Sequence, residues 1–183
     1  DVSDNTALTN LNCQINRITA LDISNCTGLR WLDCYDNQLT SLDVSHNDLL
    51  EDFSCSANQL TSLDVSNLTA LQNLDCNFNQ LGTLDISNNP ALKVVWCILN
   101  QLTSLDLSNN HVLKELYVYN NLLTSLDVSN NTALEWLACS ENQLTSLDVS
   151  NLLDLRYLGC GGNQITSLDI SNNTSLGLAL GNY

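Results

Sequence analysis

The sequence has few basic residues: Lys and Arg together number 5 against 20 Asp and Glu, which gives a formal net charge of −15. A surface with so few cations does not favour contact with the phosphates of nucleic acid or with an anionic membrane. No apolar run approaches the roughly 20 residues that a membrane-spanning helix needs. The sequence therefore predicts neither a nucleic-acid partner nor insertion into a membrane.

Groups typical of catalysis are also scarce. His46 and His111 are the only histidines among 183 residues. The sequence contains no GxSxG or HExxH motif and no glycine-rich phosphate loop. Serine and aspartate are abundant, but they recur at regular positions that indicate a scaffold. We expect a protein that is not an enzyme, with no catalytic residues and no cofactor.

The sequence does contain one pattern that repeats every 21 residues, and residues at the same position of successive repeats are called a column here. Three columns keep the step without a slip: leucine from Leu8 to Leu176, asparagine from Asn16 to Asn163 and aspartate from Asp1 to Asp169. A fourth column holds Cys13, Cys34, Cys55, Cys76, Cys97, Cys139 and Cys160, with Val118 in its one gap. A strict period of this length indicates a solenoid in which neighbouring coils stack to bury a shared core.

Each repeat consists of two similar halves, for example LRWLDCYDN at 29–37 and LTSLDVSHN at 39–47. Both halves place apolar residues at positions one, four and six, with a polar residue between the last two. This alternation is typical of a short strand with one buried face. We predict a mostly β solenoid of about eight to nine coils with few or no helices. Its short strands form a parallel sheet, and a second short strand or an irregular segment forms the opposite side.

The segment LxxLxCxxN resembles the strand segment of bacterial leucine-rich repeats with 21-residue units. Its cysteine at the sixth position resembles the cysteine ladder of internalin J-like surface proteins, and the resemblance covers essentially the whole chain. It implies a non-enzymatic protein-binding module of a secreted or surface-displayed bacterial protein, with a role in adhesion or recognition. Residues 1–183 are expected to form a single leucine-rich repeat domain. Because terminal caps are absent and there is no Met, we interpret the chain as a fragment of a longer protein.

The cysteine column is predicted to point inward with the leucines, where a thiol acts as a small apolar side chain. Disulfide bonds along the column are not expected, because the Cβ vectors of stacked coils run parallel. A line of thiols also does not form the tetrahedral set that a structural metal requires. We expect eight free thiols. Cys26 lies outside the column, at a turn position, and is our candidate for a reactive thiol.

The aspartate column is predicted to point outward, because the Leu and Val of LDVS point inward. Two interpretations remain: a solvated face whose carboxylates bond to nearby Ser and Thr hydroxyls, or a row of calcium sites. Calcium takes about six to eight oxygen ligands, and no loop of the usual glycine-bearing type is present, so the solvated face is favoured. The regular Ser and Thr columns also suggest ice binding, which the interspersed carboxylates disfavour.

Sequence differences between repeats are concentrated in the first half, at the positions that point to solvent. The candidate ligand-binding face contains eight aromatic residues, two aliphatic residues and a basic column: Trp31, Tyr35, Phe78, Trp96, Tyr117, Tyr119, Trp136, Tyr157, Val94, Ile98, Arg30, Lys93, Lys114 and Arg156. Aromatic residues and arginine supply much of the binding energy at protein interfaces. We therefore predict a protein partner, and the basic column favours one that carries carboxylates or both signs of charge.

The densest part of this face is predicted near the middle of the array. Trp96 and Tyr117 share a column in adjacent coils, and Trp136 and Tyr157 form a second such pair. Contiguous exposed apolar surface usually marks an interaction site, although cross-strand aromatic pairs also stabilise sheets without any ligand. Two other functions remain open: a glycan-binding module in which the aromatic rings stack on sugars, and a structural stalk with no ligand.

Overall fold

The computed structural model describes Val2 and residues 4–177. Eight strands of three residues each form one parallel sheet in sequence order. They are β1 (Asn10–Asn12), β2 (Trp31–Asp33), β3 (Asp52–Ser54), β4 (Asn73–Asp75), β5 (Val94–Trp96), β6 (Glu115–Tyr117), β7 (Trp136–Ala138) and β8 (Tyr157–Gly159). Residues one repeat apart are register partners, as Trp96 and Tyr117 are. The predicted stacking of coils in register is confirmed, and no helix is present within the described residues.

The side of the coil opposite the sheet is irregular, and the second short strand that the LDVS pattern allowed is absent from the described residues. The backbone on this side forms local turns. Asn47 N–H donates to Val44 O at 3.0 Å, and Leu50 N–H donates to Asn47 O at 3.0 Å. Because these N–H groups bond within their own coil, they do not form a ladder with the neighbouring coil. Of the two predicted arrangements, the irregular one is correct.

The cysteine column lies in the core, as predicted. Its five members from Cys34 to Cys139 have no exposed surface, whereas Cys13 and Cys160 in the end coils are half-buried. Burial raises the pKa of three of these thiols to about 12: Cys34, Cys97 and Cys139. All eight cysteines of the chain lie within the described residues, and all are unpaired.

Cys26 is fully buried, and its Sγ lies 3.6 Å from the carbonyl oxygen of Val2. The prediction that this thiol is reactive is therefore wrong. The turn that contains it folds inward, with Cys26 N–H donating to Ile23 O at 2.9 Å. A turn position in the sequence does not imply exposure when the turn packs against the stack.

The asparagine column joins successive coils through both ends of its side chain. Asn58 Nδ2 donates to the carbonyl oxygens of Cys34, Cys55 and Ser56 at 3.1, 3.1 and 3.2 Å. Its Oδ1 accepts the backbone N–H of Leu39 at 2.9 Å. One buried amide thus bonds to four backbone groups on two coils. Of these, Ser56 O also accepts the N–H of Asp36, and the other three depend on the amides of this column for their partners.

The aspartate column closes the turns on the irregular side. Asp106 Oδ1 accepts the backbone N–H of Ser108 at 2.9 Å. Hydrogen bonds from Ser108, through its N–H and its hydroxyl, lower the pKa of Asp106. The same serine contacts lower the pKa of Asp22, Asp43, Asp64, Asp85, Asp127, Asp148 and Asp169. These contacts agree with the solvated face that the sequence favoured. Asp1 lies outside the described residues.

Candidate protein-binding surface

Three columns of side chains project from the outer side of the sheet, from the third, fifth and seventh positions of LxxLxCxxN. The central residue of each strand, such as Val95 in β5, points into the core instead. Because every strand is short and in register, side chains of one column follow each other at about the 4.8 Å spacing of paired strands. We call these three columns the sheet face. It is the side of the molecule on which the repeats differ most.

The aromatic pairs predicted from the period are in contact. The ring centroids of Trp96 and Tyr117 lie 6.1 Å apart with an interplanar angle of 89°, an edge-to-face arrangement. Those of Trp136 and Tyr157 lie 5.4 Å apart with an interplanar angle of 22°, a stacked arrangement. Both geometries are favourable for aromatic pairs.

The two pairs line one groove of about 660 Å³ on the sheet face, and we call it the aromatic groove. Its walls and floor are Asn77, Trp96, Ile98, Tyr117, Tyr119, Trp136, Ala138, Ser140 and Tyr157. None of these side chains carries a formal charge. The sequence predicted two separate clusters, and the structure shows that they belong to a single concave apolar surface.

The floor of the groove differs in part from the sequence prediction. Ile98, predicted to be exposed, is only 8% exposed. Its column neighbours Asn77 and Tyr119 cover it, and Asn77 Oδ1 accepts the Ile98 N–H at 2.6 Å. Sequence reasoning missed Asn77, Ala138 and Ser140, because they are neither aromatic nor charged. Their small side chains leave the space between the rings, and a search for small residues in the aromatic columns would have found them.

The cations of the basic column contact other polar side chains of the same column, which the sequence analysis did not predict. Arg30 forms an ion pair with Glu51, and Lys93 Nζ donates to Gln72 Oε1 at 2.8 Å. Glu135 accepts Lys114 at 3.4 Å and Arg156 at 3.5 Å. The glutamates stand in the same column, one repeat away from their partners, so the 21-residue step already contained this pairing. These contacts join neighbouring coils, while the side chains of Arg30, Lys114 and Arg156 stay more than half exposed.

A second depression of about 450 Å³ lies beside the aromatic groove, and we call it the acidic depression. It is lined by Trp31, Asp33, Asp52, Phe53, Ser54, Asn73, Leu74, Asp75, Val94, Trp96 and Glu115. It thus contains three of the predicted site residues, Trp31, Val94 and Trp96, together with four carboxylates that sequence reasoning did not select. Trp96 lines both depressions. The sheet face therefore changes from acidic to aromatic at this one side chain.

Two predicted aromatic site residues lie outside both depressions, as the four residues of the basic column do. Tyr35 is exposed on the coil of β2. Phe78 is 51% exposed and occupies the eighth column, where its backbone has a φ of 52°. All described members of that column have positive φ: Ile15, Asp36, Ala57, Phe78, Leu99, Asn120, Glu141 and Gly162. Sequence reasoning could not predict this left-handed conformation, because Gly162 is the only glycine in the column.

Solved structures of other proteins share the fold of this chain. The chain is similar to the functional domain of InlJ from Listeria monocytogenes, which includes a cysteine ladder, with a TM-score of 0.95 and 42% sequence identity. The match covers 96% of this chain and 39% of that chain. The chain is a leucine-rich repeat solenoid with a cysteine ladder. The resemblance inferred from the cysteine, leucine and asparagine columns is confirmed.

Two further structures resemble this cysteine-ladder solenoid. A leucine-rich repeat protein of Leptospira interrogans has a TM-score of 0.76 and 28% identity, covering 96% of this chain and 55% of that chain. The internalin InlF of Listeria monocytogenes has a TM-score of 0.82 and 25% identity, covering 96% of this chain and 61% of that chain. The solenoid therefore spans well under two thirds of the length of each of these proteins.

Two other comparisons add less. A family model described as the LVIVD repeat matches residues 154–183 of the solenoid. Comparison with the curated proteins found no match. Among the described residues, no helix is long and apolar enough to cross a membrane.

Proposed function

We propose that this solenoid is a non-enzymatic protein-binding module that works without a cofactor and holds its partner in the aromatic groove. The observation that carries the proposal is the continuity of the groove: Trp96, Tyr117, Trp136 and Tyr157 line one concave surface without a charged side chain. Rings of this kind contribute large contact areas at little cost in side-chain entropy. The internalin-like neighbours support a secreted or surface-displayed bacterial protein with a role in adhesion or recognition.

The exposure of the groove distinguishes this role from simple support of the sheet. Cross-strand aromatic pairs stabilise a sheet by covering each other. Trp96, however, remains 39% exposed and Tyr157 37% exposed, although each has an aromatic partner. Large apolar side chains that stay accessible within a concavity are typical of interaction sites.

Glycan binding is the second candidate function, and one observation favours it. The rings of Trp136 and Tyr157 are inclined by only 22°, so together they offer a nearly flat platform on which a sugar ring stacks. The edge-to-face pair at Trp96 and Tyr117 forms a step instead. That step suits the irregular side chains of a protein better than a planar sugar, and it is the reason for placing protein binding first.

Removing the edge-to-face pair of Trp96 and Tyr117 tests the proposed function. The double variant Trp96→Ala with Tyr117→Ala should lose at least tenfold in affinity for a protein captured by the intact chain, because the wall of the groove is gone. Its free energy of unfolding should fall by only about 1–2 kcal/mol, since both side chains are partly exposed and the lost ring pair contributes about 0.5–1.5 kcal/mol. Binding is measured by titration against the captured protein, and unfolding by urea denaturation.

Tyr35→Ala is the matched control, because it removes an exposed aromatic residue of the sheet face outside the groove. It should bind the captured protein as the parent chain does. Equal binding by the double variant would reject the groove as the site. A glycan array that retains the parent chain but not the double variant would favour the sugar platform, and no ligand in either screen would favour the stalk.

A further inference from the structure

The acidic depression is continuous with the aromatic groove and has the opposite chemical character. Asp33, Asp52, Asp75 and Glu115 line it. Within the described part of the chain, no Lys, Arg or His forms an ion pair with any of these four carboxylates, since the ion pairs there involve Glu51 and Glu135. Asp52 accepts a hydrogen bond from the amide of Asn73. The three aspartates thus accept hydrogen bonds from neutral donors, and no ion pair within the described residues compensates the charge of the set.

Asp75 borders the aromatic groove. It is the register partner of Trp96, which in turn pairs with Tyr117. Asp75 Oδ1 accepts the backbone N–H of Asn77 at 3.1 Å, and Oδ2 accepts the hydroxyl of Ser54 at 3.2 Å. Burial nevertheless raises the pKa of this carboxyl. Burial therefore makes the charged form less stable than it is in water, and a cation placed beside it would offset that effect.

We infer that the partner presents a cationic side chain together with an apolar or aromatic one, the first at Asp75 and the second in the aromatic groove, on the two sides of Trp96. This inference rests on the proposed function and adds the chemistry of the partner. Charge complementarity supports it, because the chain carries a net charge of −15 and three of the four cations of its basic column already form ion pairs with its own glutamates. A guanidinium at Asp75 would also lie beside Trp96, the register partner of Asp75, and cation–π attraction to the indole would add to the contact.

The spacing of the sheet sets the spacing expected in the partner. Asp75 and Tyr117 are two strands apart, which corresponds to roughly 10 Å at about 4.8 Å per strand. In an extended peptide, side chains two residues apart on one face are separated by roughly 7 Å. An Arg and a Phe separated by one residue can therefore reach the acidic depression and the near wall of the groove at the same time, with their own side-chain lengths closing the difference.

Three synthetic nonapeptides serve as probes, identical except for a central Phe-Ser-Arg, Phe-Ser-Gln or Ala-Ser-Arg. The chain contains three Trp, so its indole N–H resonances in a two-dimensional nitrogen–proton spectrum report on the face directly, once assigned by single Trp→Phe variants. The Phe-Ser-Arg peptide should shift the resonances of Trp96 and Trp136. Each of the other two peptides should bind about three- to tenfold more weakly, because each lacks one of the two contacts.

Asp75→Asn tests the cationic contact from the side of the protein. The first repeat already has asparagine in this column: Asn12 Oδ1 accepts the N–H of Gln14 at 3.1 Å, as Asp75 accepts that of Asn77. The substitution should therefore preserve the turn while removing the charge. The Phe-Ser-Arg peptide should bind the variant about three- to tenfold more weakly, with the affinity of the Phe-Ser-Gln peptide. Asp154→Asn changes the net charge equally at an exposed turn and should leave every affinity unchanged.

The remaining outcomes separate this inference from the function on which it rests. If the Arg and Gln peptides bind equally and shift both indoles, the cationic contact is rejected and the groove stands as a protein-binding site. If cellotetraose shifts the indoles and none of the peptides does, the protein partner itself is rejected. If none of these probes shifts either indole at millimolar concentration, the inferred pairing of cationic and apolar contacts is rejected. The capture experiment with the Trp96 and Tyr117 double variant still tests the groove.

Discussion

Two columns of buried asparagine run along the stack, and their hydrogen bonds differ. The first ends each LxxLxCxxN segment and contains asparagine in every repeat from Asn16 to Asn163. The second lies in the turns and contains Asn5, Asn47, Asn89, Asn110, Asn131 and Asn173, with Cys26, Leu68 and Leu152 at its other positions. In the first column, from Asn37 to Asn163, both amide atoms bond to backbone groups. In the five buried asparagines of the second column only Nδ2 does, and Oδ1 is buried without a partner.

This difference explains why one column tolerates no substitution in this chain and the other does. An amide that satisfies four backbone groups leaves several of them unpaired when it is replaced, and each buried unpaired group costs about 1–3 kcal/mol. An amide whose oxygen is buried without a partner already carries such a cost. A leucine in its place removes that unpaired oxygen, but it leaves the carbonyls that accepted from Nδ2 without this donor. In this solenoid, asparagine recurs in every repeat where all of its amide atoms are hydrogen-bonded. Burial of the position alone does not ensure that asparagine recurs there.

Replacing asparagine by leucine in each column gives the largest expected effect. Asn79 Nδ2 donates to Cys55 O, Cys76 O and Asn77 O, and its Oδ1 accepts Leu60 N–H. Asn79→Leu should lower the free energy of unfolding by about 3–6 kcal/mol, because several buried groups lose their partner together. Urea denaturation followed by circular dichroism measures the change.

Asn110→Leu is the matched control in the second column. Its Nδ2 donates to Ile86 O and Asn89 O, and its Oδ1 has no partner. We expect a loss below about 2 kcal/mol, since the unpaired oxygen disappears with the amide and since the chain itself places Leu68 and Leu152 at equivalent positions. Equal losses for the two variants would show that hydrogen-bond completeness does not distinguish the columns.

The 21-residue step was sufficient to predict the register, the inward cysteines and the contacts of Trp96 with Tyr117. All three follow from stacking, which places equivalent residues side by side. The step did not predict which turns would fold inward, so Cys26 was assigned the wrong environment. Nor did it distinguish a half-buried strand from a turn in LDVS, because both bury the same two apolar residues. The acidic depression was missed because aromatic, aliphatic and basic residues were used to select the face, and acidic residues were not.

The eighth column extends the comparison to backbone conformation. Phe78 is half-exposed at a φ of 52°, and a left-handed backbone costs a residue other than glycine about 1–2 kcal/mol. Phe78→Gly should therefore raise the free energy of unfolding by about 0.5–1 kcal/mol, after subtraction of the extra entropy that glycine loses on folding. The repeat with Gly162 shows that the stack accepts glycine there. Thermal and urea unfolding measure the gain.

Asn120→Gly is the control for this position, because asparagine tolerates the left-handed region better than phenylalanine does. Its gain in stability should be smaller than that of Phe78→Gly. If Phe78→Gly destabilises the protein instead, the ring contributes more packing than its exposure indicates. If it stabilises the fold and also weakens partner capture, Phe78 belongs to the binding surface, at a cost to stability.

The cysteine column gives the smallest expected effect, because the chain has already made the substitution once. Val118 occupies this column and is fully buried, and Cys97 Sγ lies 3.6 Å from Tyr117 O, a weak contact for a thiol donor. Cys97→Val should change the free energy of unfolding by less than about 1 kcal/mol, since the thiol acts as a small apolar side chain. A loss near that of Asn79→Leu would mean that the thiol-to-carbonyl contacts along the column support the stack. The cysteine column would then be governed by the same rule as the first asparagine column, and Val118 would mark a weak point in the array.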